Sequence, residues 1–255
     1  MNPLTAADNP IIIAIDGFSG CGKSTLAKDL AKSLSYIHID SGSLYRAITL
    51  DFVRRKINIS NPTEVDKALA SMDLHLTLVD CLSVPVLHGV IVSKEIKAPT
   101  VAEHVSEVAA LPQVREFLIE KQRFFGKNKA VIMDGRDIGT VIFPDAELKI
   151  FVTADLDIRA ERRVLELNER GIDISIEEVK SNLEKRDDID SSRQTSPLKK
   201  ADDAIELDTS NLTREEQLDR ALNFVEQVVS GKKYCLLYTS PSPRDATLSR
   251  MPSSA

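Results

Sequence analysis

Residues 11–15 read Ile-Ile-Ile-Ala-Ile and run into Asp16-Gly17. A short, mostly β-branched apolar run with a glycine stop predicts a strand buried on both faces. Apolar residues then recur at 26, 27, 30, 31 and 34, the period of a helix. Tyr36–Ile39 predicts a second short strand ending in the turn Asp40-Ser41-Gly42, followed by a helix from about Leu44 to Arg55. Further buried strands are expected at Ala130–Met133 and Leu148–Thr153. Strands alternating with helices need crossover connections, which makes the fold class α/β with a parallel sheet.

Residues 73–96 break that rhythm. Leu74, Leu76 and Leu78 alternate with His75 and Thr77, and the 84–92 stretch carries Gly89, as small antiparallel strands would. The segment reads as an insertion into the α/β core. Residues 103–125 return to helix with a break at Pro112. Residues 157–183 are charged and helical with an interruption at Gly171, and a helix over Leu218–Val229 closes the pattern. After Lys233 the chain turns proline- and serine-rich and loses periodicity. Residues 234–255 are expected to be a foreign or disordered tail that adds nothing to the fold.

Composition narrows the classes. With 255 residues, 42% of them hydrophobic and 28% charged, the chain can bury a core. Its 33 basic residues against 39 acidic leave a net charge of −6, a poor match to a phosphate backbone, so no nucleic-acid partner is expected. No apolar run reaches the ~20 residues of a membrane span, and the first residues lack an export pattern. A cytoplasmic protein without a membrane partner is the expectation. Cys21, Cys81 and Cys235 are scattered, and His38, His75, His88 and His104 do not cluster with them, so neither a disulfide framework nor a structural metal is expected.

Candidate chemistry begins with Gly17–Ser24, GFSGCGKS, a full match to G-x-x-x-x-G-K-[ST]. It follows a predicted strand and opens a predicted helix, the context such a phosphate-binding loop requires. Glycines let consecutive N–H groups turn inward around phosphate oxygens, and the helix start adds its positive dipole end. Lys23 would reach the β- and γ-phosphates, and the Ser24 hydroxyl would ligate magnesium. Cys21 stands at a variable position and carries no assigned chemistry. No D-x-x-G occurs, and the one Asn-Lys pair is followed by Ala-Val, which argues against a GTPase.

Three further clusters are candidates for a second-substrate site. Asp40-Ser41-Gly42-Ser43-Leu44-Tyr45-Arg46 puts a helix start and an arginine together, an anion site or simply a capped helix. Met133-Asp134-Gly135-Arg136-Asp137 follows a buried strand, where α/β sheets bind ligands. Arg186-Asp187-Asp188 with Asp190 and Arg193 is either a ligand cluster or a solvated ion-paired face.

GFSGCGKST, DSGSLYR, MDGRDIGTVIFPDA and KRDDIDSSR, in that order, together resemble the bacterial cytidylate kinase family, over roughly Ile11 to Val229. The resemblance implies a P-loop three-layer fold with an inserted monophosphate-binding subdomain and a helical lid. The core would comprise about 11–39, 130–156 and 195–230, the insertion 40–125 and the lid 157–178, all within a domain spanning 1–233. It implies ATP and Mg2+ as donor and cofactor, with Gly17, Phe18, Ser19, Gly20, Cys21, Gly22, Lys23, Ser24 and Thr25 around the ATP and Ser24 on the metal. It implies CMP and dCMP as acceptors and a monomer. Arg46 and Arg136 would hold the acceptor phosphate; Ser41 and Asp137 would accept from the cytosine amino group; Arg115 and Arg193 would face the base's acceptor atoms. Ser106, Arg186 and Asp190 would contact the sugar hydroxyls. Lys23, Arg136 and Arg162 would carry catalysis, and Asp134 would orient magnesium-bound water.

Arg159, Arg162 and Arg163 can share one helical face and resemble the lid arginines of nucleoside monophosphate kinases. The plainer reading is a surface helix with Glu161 and Glu166 as partners. Two other readings stand beside cytidylate kinase: a P-loop kinase of another monophosphate or of a small metabolite such as shikimate, and a nucleotide-dependent switch without catalysis.

Overall fold

The computed structural model describes residues 9–79, 82–169 and 171–231. The tail, Cys81 and Cys235 lie outside the described residues. The β-branched run at the start forms β1 (Ile12–Gly17), and β1 is the middle of the molecule. It pairs in parallel with β6 (Val131–Gly135) on one side and β7 (Leu148–Thr153) on the other. Such a strand, covered on both faces, has no use for a polar alternation, which is why its pattern is continuous.

Outward from β6 come β2 (Ile37–Asp40), β4 (Leu82–Leu87) and β3 (Leu74–Val79); beyond β7 lies β8 (Ile205–Asp208). The strand order is β3-β4-β2-β6-β1-β7-β8, with the short β5 (Val90–Ile91) on β4. Six strands, β4, β2, β6, β1, β7 and β8, run parallel, and β3 and β5 pair antiparallel with β4. The expectation of a meander inside 73–96 is met, but it is not detached from the main sheet. β4 joins β2 through the pair His38↔Leu82 and extends the sheet.

The helices are α1 (Lys23–Leu34), α2 (Ser41–Arg55), α3 (Pro62–Ala70), α4 (Pro99–Ala110), α5 (Pro112–Phe125), α6 (Leu156–Asn168), α7 (Ile176–Ser192) and α8 (Arg214–Val229). α2 starts three residues before Leu44 because Asp40 caps it, accepting from Ser43 N at 3.2 Å. Its first turn, Ser-Gly-Ser, carries no apolar residue, so periodicity misses it. α3 and β8 escape sequence reading as well. α3 is nine residues announced by the cap Asn61 and by Pro62 at its first position. β8 is only four residues, assigned by its pairing with β7.

Among the described residues four hydrophobic clusters form, two of them large. One, built on β1, β6, β7, β8, α1 and α8, packs Ile13, Ile15, Leu26, Leu30, Ile150, Leu207 and Val225. The other lies wholly between Leu44 and Leu118, drawing α2 to α5 around Ile48, Val65, Val101 and Val114. Gly17 closes β1 at φ 146°, where a Cβ would stand 2.0 Å from the Val152 carbonyl oxygen. Only glycine lets the chain leave the sheet at that point.

Candidate active site

The carboxyl ends of β1, β2 and β6 open into one cleft of about 600 Å3. Between β1 and α1 the loop passes Gly20 (φ 78°) and Gly22 (φ 91°), both left-handed. α1 begins on Gly22 with no side-chain cap, whereas Asp40, Asn61, Ser175 and Thr213 cap α2, α3, α7 and α8. α4, α5 and α6 likewise lack side-chain caps, but the first turn of α1 lines the cleft through Lys23, Ser24 and Thr25, and the positive end of its helix dipole there favours an anion.

Lys23 is buried at the base of the loop. Its ammonium donates to the Phe18 carbonyl and lies 3.5 Å from Cys21 Sγ. Burial, reinforced by Arg136, holds its pKa below the ordinary lysine value against the pull of Cys21 and Asp134. A partly desolvated cation in a ring of inward amides is a strong phosphate binder. The next residue, Ser24, donates to Asp134 Oδ2 at 2.5 Å. Asp134, at the end of β6, also meets His38 Nε2 at 2.7 Å. Burial pushes the Asp134 carboxyl up, but the His38 and Ser24 hydrogen bonds outweigh it and leave the group below the usual carboxylate range.

The same cleft is lined by arginines. Arg46, Arg136 and Arg186 line the cleft together: burial, then the charges of Arg136 and Arg46, brings the Arg186 pKa down to about 10, while Asp190 outweighs burial and holds Arg136 above the ordinary arginine value. Asp190 relieves part of this repulsion, taking Arg136 Nε at 2.8 Å and Arg193 Nη1 at 3.4 Å. Concentrated cationic charge of this kind, facing a phosphate loop, is complementary to a second phosphate.

Deeper in, Arg115 is 1% exposed. It forms an ion pair with Asp137 Oδ2, donates to the Ala109 carbonyl at 3.0 Å and lies over the Tyr45 ring at 5.4 Å. Arg193 Nη2 stands 3.9 Å from the other Asp137 oxygen. Ser41 Oγ donates to the Asp134 carbonyl at 2.7 Å, which leaves its lone pairs free to accept. Among the described residues, Arg115 Nε, Arg193 Nη2, Arg186 Nε and Tyr45 Oη are buried without a hydrogen-bond partner in the protein. Several orphaned donors beside a carboxylate and a hydroxyl form a site that can read a flat polar ring from its edge.

A turn of π-helix, Ile138–Ile142, carries the chain away from Asp137. Asp16 holds this turn down: its two oxygens accept from Ile138 N at 2.8 Å and Gly139 N at 2.7 Å. Burial pushes the Asp16 pKa up to about 6, and those two backbone bonds limit the rise.

α6 supplies the remaining wall. Arg159 is buried beneath the phosphate loop, donating to the Ser19 carbonyl at 3.1 Å and to Asp187 Oδ2 at 2.5 Å, with Phe18 under its guanidinium. Arg162 donates to Thr209 Oγ1 at 3.1 Å and to the Thr209 carbonyl at 2.7 Å. Arg163 pairs with Glu166, the one partner the surface-helix reading named correctly. Arg162 and Arg163 both line the cleft.

Every residue proposed for the second substrate lies on this one cleft: Ser41, Arg46, Ser106, Arg115, Arg136, Asp137, Arg186, Asp190 and Arg193. Lys23 and Arg162 line it too, as do Ser19, Gly20, Gly22, Ser24 and Thr25. Gly17, Phe18 and Cys21 stand behind the loop rather than on the cleft wall; Cys21 is fully buried and donates to the Phe18 carbonyl at 3.1 Å. His38, Asp16 and the cleft-lining Lys97 carried no sequence signal, since none belongs to a motif with its own spacing; Asp187 stood in the Arg186–Arg193 cluster, but its pairing with Arg159 carried none.

A fold that sets a phosphate loop opposite a nest of arginines defines a phosphotransferase, one that brings a nucleotide to a second phosphorylated small molecule. Sequence comparison narrows that class. A family model described as cytidylate kinase matches residues 13–227. A cytidylate kinase of Parabacteroides distasonis is 51% identical over 212 residues, covering 81% of this chain and 93% of that protein. One from Cytophaga hutchinsonii is 47% identical over 217 residues, covering 84% and 92%, and one from Flavobacterium psychrophilum is 47% identical over 223 residues, covering 86% and 99%. The chain belongs to the cytidylate kinase family, enzymes that phosphorylate nucleoside monophosphates. Among the described residues no helix is long and apolar enough to cross a membrane.

Proposed function

We propose that the chain transfers the γ-phosphoryl group of ATP to CMP and dCMP, acting as a monomer. The observation that carries this reading is the presence, in one cleft, of Lys23 and the phosphate loop together with Arg46, Arg136 and Arg186. In this reading 40–125 serves as the monophosphate-binding insertion, supported by an apolar cluster of its own between Leu44 and Leu118, and 157–178 serves as the lid.

The acceptor is a phosphate oxygen already ionised at neutral pH, so no general base is needed. Catalysis then consists of holding donor and acceptor in line and neutralising charge on the moving group. Arg46 and Arg136 grip the acceptor phosphate, while Asp190 keeps Arg136 oriented through the 2.8 Å bond to its Nε. Lys23 moves from the Phe18 carbonyl onto the donor phosphates. Ser106, Arg186 and Asp190 bound the sugar, and Arg115, Arg193, Asp137 and Ser41 read the base.

A hard cation with oxygen ligands fits the Ser24 hydroxyl and the Asp134 carboxylate, whose oxygens lie 2.5 Å apart on the cleft wall. Mg2+ bound with the nucleotide would neutralise phosphate charge there. Ser24 would be its direct protein ligand, and Asp134 would orient the water around it.

Two measurements test the reading. ADP release with ATP and Mg2+ is compared across CMP, dCMP, UMP, AMP and shikimate; turnover should be far higher with the first two. Best turnover with another acceptor would leave a kinase but discard the base assignment, and ATP binding without any turnover would favour the switch. In the second, Arg162→Ala should lower kcat by about 100-fold, the scale of one lost transition-state donor, and change the KM for CMP little. An unchanged kcat would return Arg162 to a purely structural tie to Thr209.

A further inference from the structure

β2 carries one polar side chain into the interior before its end, His38, which is 1% exposed. Its neighbours Ile37 and Ile39 are apolar, and a branched aliphatic residue would suit a buried strand position equally well. Burying an imidazole is unfavourable unless its N–H groups find partners. The partner is the cleft carboxylate: His38 Nε2 lies 2.7 Å from Asp134 Oδ1.

The strand register brings the two together. Asp40 is the direct cross-strand partner of Asp134, and His38 stands two residues before Asp40. Side chains alternate along a strand, so His38 and Asp134 share a face as diagonal neighbours. α1 packs over that face and delivers Ser24 to the second carboxylate oxygen at 2.5 Å. A carboxylate accepts only, so it fixes Nε2 of His38 as a donor. Both Asp134 oxygens are thereby assigned, Oδ1 to His38 and Oδ2 to Ser24, and rotation of the carboxylate would break both bonds.

We propose that His38 is a positioning residue: it holds the Asp134 carboxylate in the one rotation that keeps Oδ2 on the Ser24 hydroxyl and turned toward the water of the divalent cation accompanying the nucleotide. This rests on the reading of Ser24 and Asp134 given above, but not on which acceptor is used. His38 touches neither substrate nor metal, and its effect passes through Asp134. Outer-shell partners that orient the groups around a cation change metal affinity or activity by about 10–100-fold when removed.

The test uses three substitutions in the full chain. His38→Leu and His38→Phe remove the donor, the second keeping ring volume in case the first fails to fold. His38→Gln keeps an N–H near the position of Nε2. Binding of ATP is measured with and without Mn2+ by calorimetry, alongside the Mn2+ signal by electron paramagnetic resonance, and thermal unfolding monitors the fold. For the parent, Mn2+ should tighten ATP binding; for His38→Leu or His38→Phe that gain should shrink about tenfold, and His38→Gln should restore most of it. In kinase assays the same two variants should need about tenfold more Mg2+ for half-maximal rate, with the KM for CMP unchanged.

An unaltered Mn2+ gain in a folded donor-less variant overturns the proposal, as does failure of His38→Gln to restore it. Equal loss of ATP and Mn·ATP binding also overturns it, because that is what a merely structural histidine would produce. If the parent proves inactive on CMP but the Mn2+ gain still depends on the donor, the acceptor reading fails and the His38 proposal stands.

Discussion

Asp137→Ala is expected to lose discrimination between CMP and UMP and to unfold at lower temperature than the parent. Both effects have one source. Asp137 is the counter-ion of Arg115, and the two side chains are 4% and 1% exposed. Removing the carboxylate strands a buried guanidinium, which costs about 3–5 kcal/mol. In a domain of this size that lowers the unfolding midpoint by roughly 10 °C.

The specificity effect follows from hydrogen-bond complementarity. Cytosine offers an amino donor where uracil has a carbonyl, and a carboxylate facing that position accepts from one and repels the other. A site that uses buried hydrogen bonds can exclude a mismatched analogue by about 10^4 or more, and without the carboxylate the ratio of kcat/KM values should fall toward unity. Asp137→Asn separates the two effects, since its amide oxygen still accepts from Arg115 while its N–H groups can donate to uracil. It should stay folded and gain activity on UMP. A CMP/UMP ratio unchanged in both variants would remove Asp137 from base reading.

Lys23→Met should leave the fold intact and reduce kcat by about 10^3-fold, the upper scale for a single lost donor to a developing charge. Lys23 is 5% exposed, and methionine fills similar space without a cation to desolvate, so unfolding temperature should hold or rise. The side chain is anchored on the Phe18 carbonyl and beside Cys21, so it approaches the phosphates from a fixed starting point. Loss confined to ATP affinity, with kcat within threefold of the parent, would show that Lys23 binds nucleotide without stabilising the transferred group. Stopped-time ADP release at saturating ATP and CMP distinguishes these outcomes.

The phosphate loop was legible because its chemistry is local. Glycines at positive φ, a lysine and a hydroxyl must lie within one turn of chain, so the spacing is itself the geometry. The residues assigned to a second substrate fall in clusters for a related reason. Asp40–Arg46, Asp134–Asp137 and Arg186–Arg193 each sit at a strand end or along one helix, where neighbours in sequence are neighbours in space. Ser106 and Arg115 stand outside those clusters on α4 and α5, and only the family resemblance carried them. In the structure they meet the others because the core between Leu44 and Leu118 folds those helices over α2.

What the amino-acid sequence determined by itself was the alternation of β1, α1 and β2, the parallel class of the sheet and the anion-binding character of its carboxyl edge. Those follow from periodicity and from backbone freedom, properties of short stretches. Tertiary structure alone decided the partnerships: His38 with Asp134, Asp16 under the turn after Asp137, Arg159 with Asp187, and the joining of the 74–91 meander to β2. Each links positions far apart in the chain. Their energies depend on burial and on which strand lies beside which, and neither exists until the sheet has formed.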